Sequence, residues 1–477
     1  MHTPAPRGVG LGRRGLIPCS ALLTVALAGC ATSRPDPQVE ASIARSLGFS
    51  EAITFRMEGG PVDEPSADDT LTLVDAVGRA VMSDPALQAA LARVRVAMAD
   101  SDQARLLPNP VLDFVVRWGA GKAQIEVSLA QDLIQALQVH RRASAADNRL
   151  RQVAADAVTL SLDTVAEVQE RYISAQTLES LLPVLLERRE LIERLVAVAK
   201  ARLEAQEGTR SDLTTLEAQR VELDVDIAEA QRLLEEERLR LARLIGEPSS
   251  PASWRLDAWS PPSLATSAEA AWINAALCNR PEIQSIEWAI AAFGDEAAIV
   301  QSLSWEGAGA GIEVQRDADW FAGPSVSSPV PVFDTGKARR ARVAAERIES
   351  LHNLTLAKRM VIEEVRVALR TIDASTANLH RVQTELIPLQ RQRRQQAEDA
   401  YRAGHTDVTA LYLAEHDLRA AREREIAVER QLSVALVRLQ RAVGGRGVVV
   451  SFDDAAPWPG ELPTPIGAAP VSHAMNP

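Results

Sequence analysis

Short stretches of the chain alternate between apolar and polar residues, which is the pattern of half-buried β-strands. The clearest are VLDFVVRW (111–118) and, after a Gly-Ala-Gly turn, KAQIEVSL (122–129). A weaker pair follows: AGIEVQ (310–315) alternates, and Phe321–Phe333 comes after a turn but contains three prolines. Prolines confine a strand to irregular or edge pairing. The pattern therefore predicts two strand pairs, each with an apolar and a polar face.

The polar faces of these predicted strands carry six residues: Asp113, Arg117, Gln124, Glu126, Glu313 and Gln315. Each strand has roughly the ten residues that a tilted transmembrane strand needs. Trp118 and Trp320 lie beside the turns, where an aromatic girdle would be. The alternative is a small soluble sheet with one face exposed to solvent. On the membrane interpretation, four strands cannot close a barrel and an open edge cannot face lipid, so several chains must contribute strands.

Long segments without glycine predict long α-helices. These glycine-free segments run from Lys122 to Glu207 and from Lys337 to Ala403, and a glycine turn and a further helix follow each. Gly208 and Gly404 each end a long helix, where a residue with positive φ is commonly needed, and we expect these glycines to supply it without strain. Pro183 and Pro388 lie inside them and are expected to bend or interrupt the helices locally. The first return helix carries a near-heptad apolar stripe that requires a partner helix: Leu216, Leu223, Ile227, Ala230, Leu234, Leu241 and Ile245. A soluble coiled coil explains this stripe equally well.

The chain presents this order of elements twice. A helix precedes each strand pair, over 71–106 and 268–303, and a proline interrupts it early. Three landmarks repeat at nearly constant spacing: Pro85 with Pro281 and Gly208 with Gly404 at 196 residues, and RLARLIG (240–246) with RLQRAVG (438–444) at 198 residues. Chance similarity between helices would not hold this register, so the sequence predicts two structural copies.

Composition excludes several classes of function. The net charge of −12 argues against nucleic-acid binding. The seven histidines and three cysteines show no metal-ligand spacing. The chain also has no glycine-rich phosphate loop and no strand-borne serine or cysteine with a plausible base. We therefore expect no catalytic activity, no cofactor and no metal site.

The first thirty residues have the layout of a secretory signal. Three arginines without an acid precede an apolar run that is too short to span a bilayer comfortably. Leu27-Ala28-Gly29-Cys30 resembles the lipobox of bacterial lipoproteins, in which the signal is cut before a cysteine that then carries lipid. Ala31, rather than Asp, follows, which implies sorting to the outer membrane. The alternative is an ordinary signal with a chance cysteine at position 30.

These boundaries predict five segments. They are a lipoprotein signal peptide (1–29), a lipid-anchored extended tether (30–70), a first structural repeat (71–260), a second structural repeat (261–444) and a loose C-terminal tail (445–477).

Three short motifs, in their order within the duplication, resemble the TolC-like outer membrane efflux proteins, specifically the lipid-anchored branch of RND-type systems. They are Asn279-Arg280-Pro281-Glu282, Pro329-Val-Pro331-Val-Phe333-Asp334-Thr335-Gly336 and Tyr401-Arg-Ala-Gly404-His-Thr-Asp407-Val408. The resemblance covers about Leu71 to Gly444. It implies a mainly α fold with a small membrane β-barrel contribution: a duplicated strand pair plus a long α-helical hairpin, assembled as a trimeric 12-stranded β-barrel and 12-helix α-barrel.

The resemblance also implies partners and sites. The homotrimer would lie in outer-membrane lipid, with a long periplasmic extension that docks on a periplasmic adaptor protein and an inner-membrane efflux pump. The docking tips would contain Gly208, Gly404, His405 and Asp407. Some relatives narrow the periplasmic entrance with acids; here Ala410 and Leu413 occupy the places expected first, which leaves Asp212, Glu217 and Asp407 as nearby candidates. The polar strand residues would line the barrel lumen.

Two other classes of protein stay open at this point. A periplasmic adaptor also has a long helical hairpin, but a single one flanked by β-domains. A structural coiled-coil lipoprotein would need no membrane strands. The exported compound, whether a drug, a metal ion or another molecule, is not encoded in any motif of the sequence.

Overall fold

The computed structural model describes residues 38–41, 55, 70–118, 123–247, 254–257, 268–316, 319–403, 405–406 and 408–445. The predicted signal peptide, Cys30, almost all of the predicted tether and nearly all of the predicted tail lie outside these ranges, as do Gly404 and Asp407. The described chain divides into two compact units. Each unit contains segments of both sequence repeats.

The first compact unit, here called the strand unit, comprises Asp100–Ser144 and Asp295–Arg340. Its four strands are β2 (Val111–Arg117), β3 (Gln124–Asp132), β5 (Gly309–Arg316) and β6 (Trp320–Ser327). They form one antiparallel sheet in the order β2-β3-β5-β6, so the two predicted strand pairs join through β3 and β5. The pairs predicted from alternation are therefore present.

The fourth strand is shorter than predicted. It ends at Ser327, and the predicted continuation to Phe333 is wrong. Pro329 and Pro331 have no N–H to donate to a ladder, so the chain leaves the sheet before them. At the end of this exit Asp334 Oδ1 accepts a 2.9 Å hydrogen bond from the N–H of Gly336, and its other oxygen accepts from Arg339. Gly336 has φ +71°, which a glycine adopts without strain.

The second compact unit, here called the helical unit, comprises Asp36–Ala99, Ala145–Gly294 and the chain from Ala341 onward. The described helices of the whole chain are α1 (Leu73–Ser83), α2 (Pro85–Ala104), α3 (Leu133–Glu204), α4 (Arg210–Leu244), α5 (Glu269–Asn279), α6 (Pro281–Ser302), α7 (Lys337–Arg381), α8 (Ile387–Arg402) and α9 (Val408–Ala442). None of the helices in the described ranges is long and apolar enough to cross a membrane.

The helices repeat as the sequence predicts. Pro85 and Pro281 each begin the second helix of a pair, where the missing proline N–H leaves no hydrogen bond unmade. Helices α4 and α9 have 35 residues each, and both ends of α9 lie 198 positions after those of α4. Within the described residues, the short parallel pairing of β1 (Thr70–Leu71) with β4 (Arg255–Leu256) was not predicted from the sequence.

Each of the two sequence repeats has a buried apolar cluster in the helical unit. The first gathers Leu87, Leu150 and Leu241 around Tyr172, whose hydroxyl donates to the Leu71 carbonyl at 2.8 Å. The pKa of Tyr172 is raised to about 12, and burial of the hydroxyl is the largest cause. The second cluster packs α5 and α6 against α7 and α9 around Ile372.

The Asn279-Arg280-Pro281-Glu282 motif forms polar contacts with two other helices beside this second cluster. Arg280 is buried; its Nε donates to the Ala442 carbonyl at 2.8 Å, and its guanidinium pairs with Glu364. Glu282 accepts from Arg441 at 2.5 Å. These bonds join the start of α6 to α7 and to the end of α9.

The two prolines inside the long helices behave differently. Pro183 lies within α3, which stays continuous over 72 residues, so the predicted interruption is absent there. Before Pro388 the chain forms a five-residue π-helix, Val382–Leu386. A proline cannot donate to the preceding turn and its ring crowds the carbonyl four residues earlier, and a wider turn relieves both problems.

Candidate functional site

The sheet of the strand unit has one apolar face. Its cross-strand rows are Leu112–Leu129–Ile312–Pro324, Phe114–Val127–Val314–Ala322 and Val116–Ile125–Arg316–Trp320. Only Arg316 in these rows is charged. Large apolar side chains on this face are exposed; the Phe114 side chain, for example, is 65% exposed. An exposed apolar face of this extent marks a surface that lipid or another protein covers.

The opposite face of the sheet is polar. The register puts Asp113 beside Ser128 and Ser128 beside Glu313, and it puts Glu126 beside Gln315. Arg117 donates to Glu126 across the strands at 2.7 Å. All six residues that sequence analysis placed on polar faces therefore share one face of the sheet: Asp113, Arg117, Gln124, Glu126, Glu313 and Gln315. Phe321 also falls on this face, beside Gln315.

The two outer strands leave the sheet open. In the described part of the chain, β2 pairs only with β3 and β6 pairs only with β5. Their outer edges present unpaired backbone groups, which need partners wherever water is absent.

The first hairpin tip is closed by a Schellman motif between α3 and α4. The N–H of Glu207 donates to the Arg202 carbonyl at 2.8 Å, and the N–H of Gln206 donates to the Leu203 carbonyl at 3.1 Å. Gln206 takes the left-handed conformation, with φ 64°, at a position where glycine is usual.

Gly208 serves a different purpose from the one predicted. The sequence analysis expected Gly208 to supply a positive φ, but Gln206 does so. A Cβ at Gly208 would lie 3.2 Å from the Arg202 Cβ and 3.3 Å from the Leu203 nitrogen, so glycine suits the close approach of the chain to the end of α3 at this position. The prediction failed because the turn places its left-handed residue two positions earlier.

The candidate entrance acids have different surroundings. Asp212 forms a capping box with Thr209: the N–H of Asp212 donates to Thr209 Oγ1 at 3.1 Å, and Asp212 Oδ2 accepts from the Thr209 N–H. Its carboxylate therefore stabilises the start of α4. Glu217 is exposed on the same helix, as are Ala410 and Leu413 on α9.

The second tip shares one hydrogen bond with the first, at a spacing that differs from the glycine alignment. The N–H of His405 donates to the Ala400 carbonyl at 2.9 Å, as Glu207 does to Arg202. His405 therefore corresponds to Glu207, 198 positions earlier, and the alignment of Gly208 with Gly404 at 196 is two residues out. Gly404 and Asp407 lie outside the described residues.

A charged network links the two hairpins behind the tips, and sequence analysis missed it. Arg188 on α3 donates to His416 Nε2 on α9 at 2.7 Å and pairs with Glu423 at 3.0 Å. Burial, followed by the Arg188 charge, lowers the pKa of His416 from its usual value of 6.5, while Asp417 and Glu423 oppose this shift. These residues are more than 220 positions apart in the chain, so no local pattern could have paired them.

A second part of this network involves Glu415. Its carboxylate accepts from Arg394 and Arg419, both at 2.6 Å. Burial opposes ionisation of this carboxyl, but the two guanidinium groups outweigh burial and lower the pKa of Glu415. Nearby, Tyr412 packs against the apolar cluster of α3 and α4, which includes Leu195 and Leu216. The apolar stripe on α4 therefore has the partner helix that it requires.

Comparison with known proteins supports the class that the sequence suggests. The outer membrane efflux protein family (OEP) matches residues 272–445. The fold is similar to that of the outer-membrane channel OprN, with a TM-score of 0.64 at 18% identity, over 82% of this chain and 98% of OprN. It is similar to CusC, with a TM-score of 0.64 at 16% identity, over 83% and 99%. It is also similar to VceC of Vibrio cholerae, with a TM-score of 0.64 at 15% identity, over 78% and 96%.

The described chain therefore has the fold of outer-membrane channels: mainly α, with a duplicated strand pair and two long helical hairpins. The family match over the second repeat and the shared fold agree with the resemblance of the chain to the TolC-like outer membrane efflux proteins. No curated protein matches the chain by sequence. The lipid-anchored branch stays a prediction, because Cys30 lies outside the described residues.

Proposed function

We propose that three copies of the chain form the exit duct of a tripartite efflux system. The duct is a passive conduit through the outer membrane for small molecules or metal ions. It docks on a periplasmic adaptor protein and on an inner-membrane pump, and the pump supplies the energy. The chain performs no catalytic step in this role.

The two-faced, open-edged sheet is the observation that carries this proposal. Its apolar face suits lipid and its polar face suits a water-filled lumen, but four strands cannot close a barrel. Pairing β6 of one copy with β2 of the next satisfies both open edges. Three copies then give the twelve strands of the family barrel, and Asp113, Glu126 and Glu313 line its lumen.

The helical hairpins supply the reach of the duct. Helix α3 has 72 residues, which corresponds to about 108 Å at 1.5 Å per residue. The docking surfaces for the adaptor are the two hairpin tips. The first tip contains Gly208, and the second contains Gly404, His405 and Asp407. Asp212 and Glu217, with Asp407, stand near the periplasmic entrance, and Asp212 also caps α4.

Lipid on Cys30 is proposed as an additional anchor. Acyl chains bind a membrane by burying methylene groups, at about 0.8 kcal/mol each, whereas a barrel buries a continuous apolar surface. The lipid therefore assists the barrel and does not replace it.

The two competing classes fit the fold less well. An adaptor would have one helical hairpin flanked by β-domains, whereas the described part of this chain has two hairpins and a four-stranded sheet. A coiled-coil lipoprotein would account for the apolar stripe on α4 but not for a sheet with an exposed apolar face.

A deletion strain tests the function. Cells without the chain are grown with a panel of toxic organic compounds and metal ions, and the wild-type gene or the Cys30→Ala gene with a cleavable signal is returned. We expect increased sensitivity to at least one compound and rescue by both genes. Unchanged sensitivity across the panel, together with a soluble, monomeric Cys30→Ala product, would contradict the channel.

A further inference from the structure

The apolar face of the sheet contains one cation, at the end where β5 turns into β6. Arg316 is the last residue of β5 and lies in the row Val116–Ile125–Arg316–Trp320. Its guanidinium stands over the Trp320 ring, 5.4 Å from the ring centroid. Both side chains are exposed.

Arg316 differs from the other arginine at this end of the sheet. Arg117 lies on the polar face, and Glu126 neutralises it at 2.7 Å. Among the described residues no carboxylate lies within 4.0 Å of Arg316 to form an ion pair. Asp317 lies outside the described residues, and Asp319 is exposed beyond the strand. The apolar face therefore presents a guanidinium without a neutralising group in the described part of the chain.

The turn end of the sheet also carries two tryptophans. Trp118, 82% exposed, follows β2 at the same end as Trp320. Tryptophan favours the boundary between hydrocarbon and headgroups, and arginine near that boundary extends its charged end to the headgroups. Guanidinium groups bind phosphate through paired hydrogen bonds, which an ammonium group cannot reproduce.

The chain path decides which boundary this is, on the basis of the proposed function. Strand β3 passes directly into α3 after Asp132, so its turn end at Gln124 is the opposite end of the strand. If the helices extend into the periplasm, the turn end meets the outer leaflet. The phosphates of that leaflet belong to the bisphosphorylated glycolipid of the outer membrane.

We propose that Arg316, held over Trp320 at the turn end of the apolar face, binds the phosphate groups of the outer-leaflet glycolipid. Three copies of the chain present three such sites around the barrel. The site would fix the height of the barrel in the membrane, because the cation and both tryptophans lie at the same end of the sheet.

Lipid retention by purified protein tests this proposal. Wild-type, Arg316→Leu, Arg316→Lys and Arg117→Leu proteins are extracted from outer membranes, washed free of lipid and titrated with the bisphosphorylated glycolipid. Bound lipid is counted by native mass spectrometry, and phosphatidylglycerol, dephosphorylated glycolipid and inorganic phosphate serve as competitors. Arg117→Leu is the matched control, since it removes the same side chain at the same end of the opposite face.

We expect Arg316→Leu to weaken glycolipid binding about fivefold per site, the effect of one cation near a charged membrane surface. Arg316→Lys should retain part of the affinity and Arg117→Leu all of it, and neither phosphatidylglycerol nor free phosphate should compete. Equal binding by Arg316→Leu and wild type, or equal competition by phosphatidylglycerol, would overturn the site while leaving the channel intact. Absence of all four proteins from the outer membrane would instead overturn the channel, and this site with it.

Discussion

At the residue scale, the sheet depends on positions where a side chain does not fit. A Cβ on Gly311 would lie 2.2 Å from the Leu129 carbonyl oxygen and 2.9 Å from the Ala130 Cα, both backbone atoms of β3. Gly323, one strand away on the same face, has open space around it. The sequence shows two glycines in weakly patterned strands, and only the register distinguishes them.

We expect Gly311→Ala to lose about 1–3 kcal/mol of stability, because β3 and β5 must separate to admit the methyl group. The folded yield in membranes and resistance to unfolding in denaturant measure this loss. Gly323→Ala is the control and should behave as wild type. Equal loss in both variants would mean that the pairing of β3 with β5 is wrong.

The two faces of β2 should respond oppositely to charge. Arginine in place of Phe114 enters the apolar face and should cost about 2–4 kcal/mol if that position lies near the bilayer midplane. Arginine in place of Asp113, the neighbouring residue, enters the polar face and should be mild. The yield of assembled protein in outer membranes compares the two, and similar yields would contradict the assignment of the faces.

At the element scale, the sequence predicted the helices and the strand faces because periodicity encodes them directly. Alternation put all six polar strand residues on one face, and the glycine-free segments marked α3, α7 and α8. The end of β6, the π-helix before Pro388 and the left-handed Gln206 were not predictable, because each depends on where backbone hydrogen bonds end. The Arg188–His416 contact depends on how the two hairpins pack.

The contact between the hairpins should weaken in mild acid. The folded protein lowers the pKa of His416 below its usual 6.5, so the unfolded chain binds the proton more readily. The contribution of neutral His416 to the stability of the folded protein is therefore present above about pH 6.5. It is lost as pH falls through that value toward the lower pKa that His416 has in the folded protein. Hydrogen exchange of α9 between pH 7.5 and 5.5 should show faster opening in acid, and His416→Gln should reduce this change. The same pH profile in both proteins would contradict the assignment to His416.

The hairpin tip should be dispensable for assembly and essential for export. His405 is exposed at the second turn, so His405→Trp adds bulk where we propose that the adaptor binds. Trimer yield should stay unchanged, while tolerance of the exported compound should be lost. His352→Trp, an exposed histidine within α7, is the matched control and should keep both. Normal export by His405→Trp would exclude this turn as the docking surface.

At the scale of the whole molecule, the sheet of one chain leaves an apolar face and two edges without partners in the described residues. The resemblance to the efflux proteins could be recognised from the order of short motifs within a duplication, since each copy retains the landmarks that its elements need. One chain does not show how many copies assemble; the proposed number, three, follows from the need to close the sheet and from the barrel that the resemblance implies.

The most direct test of this account is the mass and location of the protein without its lipid. Cys30→Ala protein, exported by a cleavable signal, is separated into soluble and outer-membrane fractions, and the extracted species is weighed intact in detergent. We expect an outer-membrane species with three times the mass of one processed chain. A soluble monomer would contradict the claim that three copies close a barrel in the membrane.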